Sequence, residues 1–109
     1  MNFTDYQNQT HRTNLYPPDM MLECLTLGIC SEAGEIADKV KKFHRGDKGV
    51  QSEAGLRLLL VAELGDALYY ISELANYLEV SLDDIAAYNL AKLQDRAERG
   101  TIRGSGDER

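Results

Sequence analysis

The chain has 109 residues, 43% of them hydrophobic, and a formal net charge of −6. That length sets one domain able to bury roughly 65% of its unfolded surface, and the acidic balance excludes bulk binding of nucleic acid through a basic face. No run approaches the ~20 apolar residues that span a bilayer, so no membrane partner is expected. The first residues, Met1-Asn2-Phe3-Thr4-Asp5, carry neither the basic patch nor the apolar stretch of a secretory leader. Cys24 and Cys30 stand six apart in a helical pattern and so face different ways. They cannot pair locally, and a reducing cytoplasm is the expected compartment.

The elements follow in chain order. Thr4-x-x-Gln7 has the form of a capping box and predicts a short first helix starting at Thr4. Residues 11–18 form a connection closed by Pro17-Pro18-Asp19, a favourable helix entry with an acid at the positive end of the dipole. The second helix runs over about residues 19–44. Leu22, Ile29, Ala33, Ile36, Val40 and Phe43 recur on one stripe, and Gly46 marks the stop. After a loop to Ser52, a third helix over about residues 53–79 is apolar around most of its circumference, with Leu58, Leu60, Val61, Leu64, Leu68, Ile71, Leu74 and Leu78. Such a helix is central in a bundle or buried between subunits. Ser81 caps a fourth helix lasting to about Arg99. Residues 1–100 make one all-α domain, and residues 101–109, with their glycines, serine and alternating charge, are expected to be a mobile tail.

Two acidic pairs stand out on the long helices. Glu32 and Glu35 are three apart, about 60° around the helix, and Glu63 and Asp66 repeat the spacing. Glu32 borders the apolar stripe and Glu63 lies on the greasiest helix, where an unpaired carboxylate costs several kcal/mol. One such pair alone reads as a solvated rim or as partners for lysines. Two on consecutive helices point to a hard divalent cation with oxygen ligands. His11 and His44 lie outside both clusters, which speaks against iron and zinc and leaves Mg2+ or Mn2+. Lys39 is four residues from Glu35 and shares the acidic face, whereas Lys41, Lys42 and Arg45 read as a solvated basic helix end.

The segment Ser31-Glu32-Ala33-Gly34-Glu35-Ile36-Ala37-Asp38-Lys39-Val40-Lys41-Lys42, followed by Glu63-Leu64-Gly65-Asp66-Ala67-Leu68-Tyr69-Tyr70, resembles the E-x-x-E…E-x-x-D signature of the MazG-like all-α nucleotide pyrophosphohydrolases. The similarity continues through Asn89-Leu90-Ala91-Lys92-Leu93-Gln94-Asp95-Arg96. The resemblance implies an antiparallel helical bundle assembled as a homodimer or dimer of dimers. It implies hydrolysis of a (deoxy)nucleoside triphosphate to the monophosphate and pyrophosphate. By position, Glu32, Glu35, Glu63 and Asp66 would hold magnesium, with Glu32 or Glu35 taking the proton of the attacking water. Lys39, Asn89, Lys92 and Arg96 match polar positions that contact phosphates or sugar, and Tyr70 matches an aromatic position near the nucleotide. Ser31 stands where many relatives carry a further glutamate. The rival from another class is a non-catalytic helical interaction protein whose acids form a structural metal site.

Overall fold

A turn at residues 46–52 folds two helices of equal length back on each other, and this hairpin is the frame of the molecule. The computed structural model describes residues 1–109. Its helices are α1 (Phe3–His11), α2 (Met21–Arg45), α3 (Glu53–Tyr77) and α4 (Leu82–Glu98), with no strands. Gly46 ends α2 in the left-handed region at φ 74°, which lets the Asp47 N–H return to the Lys42 carbonyl at 3.0 Å. Six residues after Gly46, the Ser52 hydroxyl accepts from the Gly55 N–H at 3.0 Å and starts α3. The all-helical expectation holds.

Several boundaries differ from the sequence reading, each through local bonding. The first helix begins at Phe3 rather than Thr4, because the Asn2 side chain accepts from the Asp5 N–H at 2.8 Å and captures the entry first. Pro18–Met20 wind as a 3₁₀ turn, so α2 proper starts at Met21. Helix α3 stops at Tyr77; Glu79 then adopts a left-handed φ of 58°, and the Val80 N–H bonds the Ala75 carbonyl at 3.0 Å.

The helices bury less apolar surface than their sequences suggest. On α2, Ile29, Ile36, Val40 and Phe43 are at least half-covered, but Leu22 and Ala33 are exposed and Leu25 and Gly28 take the buried positions. Helix α3 departs furthest from expectation: within one chain Leu58, Val61, Leu64 and Ile71 are exposed. The cause is that α2 covers one flank of α3 and α1 another, while α4 packs chiefly on α1. The radius of gyration is 16.9 Å, against about 13 Å for a compact chain of this length.

The second seam, between α1 and α3, is polar and buried. Gln7, Thr10, Ser72 and Glu73 are all buried. Gln7 donates from Nε2 to the Val80 carbonyl at 2.8 Å and accepts the Leu82 N–H at 3.0 Å, tying α1 to the turn that launches α4. Glu73 accepts from Thr10 at 2.9 Å, Asn14 at 2.8 Å and Asn76 at 2.7 Å, with His11 Nδ1 at 3.3 Å. Every buried side-chain polar atom finds a partner, so the seam satisfies the rule for buried polar groups.

Candidate metal centre

Because α2 and α3 run antiparallel, the acids of one helix meet those of the other near the middle of the hairpin. One carboxylate oxygen from each of Glu32, Glu63 and Asp66 lies within 4.8 Å of the other two. Glu32 and Glu63 are half-covered and Asp66 is open to solvent. Burial first, then the charges of Asp66, Glu63 and Glu35, push the Glu32 carboxyl above its ordinary value. Lys39 supplies the nearby positive charge, with Nζ 3.3 Å from Glu35 and 3.5 Å from Glu63. Its hydrogen bond to Glu35 is the main reason its own pKa rises. One ammonium among four carboxylates leaves the cluster anionic.

The donor set fits a hard divalent cation. All three converging groups are carboxylates, two of them half-covered, and they repel one another; a cation of the Mg2+ or Mn2+ type relieves that repulsion. Imidazole and thiolate take no part: His11 faces Glu73 in the α1–α3 seam, and Cys24 and Cys30 are free thiols. Glu35, expected as a fourth ligand, sits outside the trio on an exposed turn with its carboxylate on Lys39.

The remaining expected residues are split between two places. Tyr70 lies on the hairpin, with its ring pressed on Gly28. Asn89 is exposed on α4. Lys92 and Arg96 direct their charges to Asp107 of the C-terminal segment, at 3.4 Å and 3.3 Å, and Arg96 also donates to the Asp107 carbonyl at 2.9 Å. None of the three α4 residues bonds the carboxylate trio of its own chain.

Sequence reasoning passed over Gly28, Tyr16 and Glu73. A Cβ on Gly28 would come within 2.3 Å of the Tyr70 ring, so only glycine admits that ring. Tyr16 bonds the Tyr70 hydroxyl at 2.7 Å from within the connecting segment. A signal for Glu73 was present: Gln7, Thr10 and Asn14 recur at helical spacing, a polar stripe that needs a polar counterpart.

The profile of the MazG nucleotide pyrophosphohydrolase domain matches residues 21–101, from the start of α2 past the end of α4. The chain belongs to the MazG family. A Mycobacterium phage L5 protein, described only as Gene 37 protein, is 50% identical over 88 residues, covering 81% of this chain and 76% of the relative. No solved structure matches. Membership makes the chain a hydrolase of the nucleotide pyrophosphohydrolase type. The matched span contains the trio, Glu35, Lys39, Tyr70, Asn89, Lys92 and Arg96, while α1 and Tyr16 lie before it. No helix of this MazG chain is long and apolar enough to cross a membrane.

Proposed function

We propose that the protein hydrolyses a (deoxy)nucleoside triphosphate to the monophosphate and pyrophosphate, with Mg2+ or Mn2+ held by Glu32, Glu63 and Asp66. The observation that carries this reading is the convergence of those three carboxylates at the family's motif positions. A divalent cation in the trio supplies positive charge to the phosphate oxygens. Glu35, outside the trio and exposed, is free to join the metal ligands when the nucleotide binds or to take the proton of the attacking water; Glu32 is the other candidate base. Lys39, poised between Glu35 and Glu63, meets a phosphate oxygen.

The α4 cations fit the same reaction through assembly. The wet face of α3 and the open shape of one chain support pairing of two copies, as a homodimer or a dimer of dimers. In that arrangement Asn89, Lys92 and Arg96 approach the trio of the neighbouring copy and grip the phosphates and sugar. The free cysteines suit a cytoplasmic setting.

The test is a panel of nucleoside triphosphates incubated with and without Mg2+, with pyrophosphate and monophosphate measured separately. Equal amounts of the two, dependent on metal, are expected. Orthophosphate released alongside a diphosphate would overturn the reading, as would wild-type turnover in Asp66→Asn.

A further inference from the structure

Tyr70 is held from three sides, and only two belong to the hairpin. Its ring lies on the backbone of Gly28, and Tyr69 packs edge-on against it at a centroid distance of 5.4 Å. The third restraint is Tyr16, whose ring lies 6.3 Å from that of Tyr70 and whose hydroxyl stands 2.7 Å from its partner. Gly28 precedes Glu32 by one helical turn on the same face, so the Tyr70 ring adjoins the first carboxylate of the trio. The Tyr16 hydrogen bond, then burial and the charges nearby, including Glu32, push the Tyr70 hydroxyl up to about 12, so it remains neutral at physiological pH.

Tyr16 sits in a connection that has no helical ladder of its own, and a segment of that kind opens readily unless it is tied down. The tie is a short relay. The Tyr16 N–H donates to Asn14 Oδ1 at 3.1 Å, and Asn14 Nδ2 donates to Glu73 Oε1 at 2.8 Å. Glu73 is 1% exposed and fixed by Thr10 and Asn76 as well, so the relay ends on the most rigid part of the α1–α3 seam.

We infer that Tyr16, set in place by Asn14 and the buried Glu73, is a positioning residue that fixes Tyr70 as the neutral wall on which the nucleoside portion of the substrate rests. The inference rests on the pyrophosphohydrolase reading. Its chemical basis is a division of labour: the triphosphate seeks cations, while the base and sugar need an uncharged, flat, immobile surface beside them. A tyrosine pair whose hydroxyls satisfy each other presents such a surface within reach of an anionic trio. Both Tyr16 and Asn14 precede the residues matched by the family, so this part of the site belongs to the chain's own N-terminal region.

The test uses Tyr16→Phe, which keeps the ring and removes the hydroxyl, with Asn14→Ala as a second variant that cuts the relay elsewhere. Each should raise KM for the nucleoside triphosphate several-fold, leave kcat within about twofold, and leave Mg2+ affinity of the free protein unchanged. Nuclear Overhauser contacts between the Gly28 α-protons and the Tyr70 ring should weaken in both. Unchanged KM overturns the inference, and so does a rise in KM accompanied by parallel falls in kcat and unfolding midpoint in both variants, which marks a purely structural role. If the unmodified protein turns over no triphosphate, the pyrophosphohydrolase reading falls. The Gly28–Tyr70 contacts then decide the positioning claim, and undiminished contacts in both variants overturn it.

Discussion

Replacing Glu73 by glutamine tests the view that a buried carboxylate, rather than apolar packing, docks α1. The two oxygens are used differently: Oε1 accepts from Asn14 and His11, and Oε2 from Thr10 and Asn76. Glutamine keeps one acceptor and turns the other into an NH2 group facing donors. If it faces Thr10 and Asn76, the Thr10 hydroxyl can rotate, because Ser72 stands 2.7 Å away as an alternative partner, and Asn76 retains the Gln7 carbonyl at 3.1 Å. If it faces Asn14 and His11, Asn14 loses its one oxygen acceptor. Either way two bonds to the side chain vanish and the remaining ones lose their charge assistance, and in the second case a buried donor is also stranded, each event worth about 1–3 kcal/mol. The expected loss is about 2–4 kcal/mol, a large share of the ~5–15 kcal/mol that holds a small domain. Urea unfolding should show it as a midpoint lowered by on the order of 1–2 M with unchanged slope. The same carboxyl predicts acid lability. Burial pushes it up, but the hydrogen bonds from Asn14, Thr10, Asn76 and His11 together more than reverse this, leaving it below 4.5. A depressed folded-state pKa gives stability that is present above the unfolded value and lost as pH falls through the folded one. Glu73→Gln should therefore differ most from the parent at neutral pH and converge with it in acid. A loss under about 0.5 kcal/mol, the level of an ordinary surface change, would refute the reasoning.

Three further outcomes follow from other parts of the molecule. Glu32 has the opposite sign: with its folded-state pKa raised above 4.5, the metal-free protein loses stability as pH rises from the unfolded value through the folded one, so Glu32→Gln should melt higher than the parent near neutrality without metal and lose that advantage when Mg2+ is added. Glu79 occupies a left-handed position after α3 that favours glycine, and Glu79→Gly should raise stability by about 0.5–1 kcal/mol in chemical unfolding. Val61, 67% exposed on the wet face of α3, should lie between copies; sedimentation equilibrium should give an oligomer for the parent and a smaller species for Val61→Glu, and a well-folded, active monomer of the parent would defeat that expectation.

The sequence by itself determined the local architecture. Gly46, Ser52 and Ser81 stop and start helices through bonds to backbone groups within a few residues, and such bonds need no tertiary partner. The two acidic pairs were legible for a similar reason, since helical geometry alone puts residues three apart on one face. The tertiary structure decided which of those acids meet. Glu32 joins Glu63 and Asp66 because the hairpin brings α2 and α3 together at that level, while Glu35, a turn further on, points past them to Lys39. It also decided that α1 docks through Glu73, a polar seam that a search for apolar periodicity passes over. Leu22 and Leu58 are as apolar as Leu25, yet they are exposed and Leu25 is fully covered. A helix pattern records which face can be buried, and only the packing of other elements settles which part of it is, because burial is a property of pairs of surfaces and not of one.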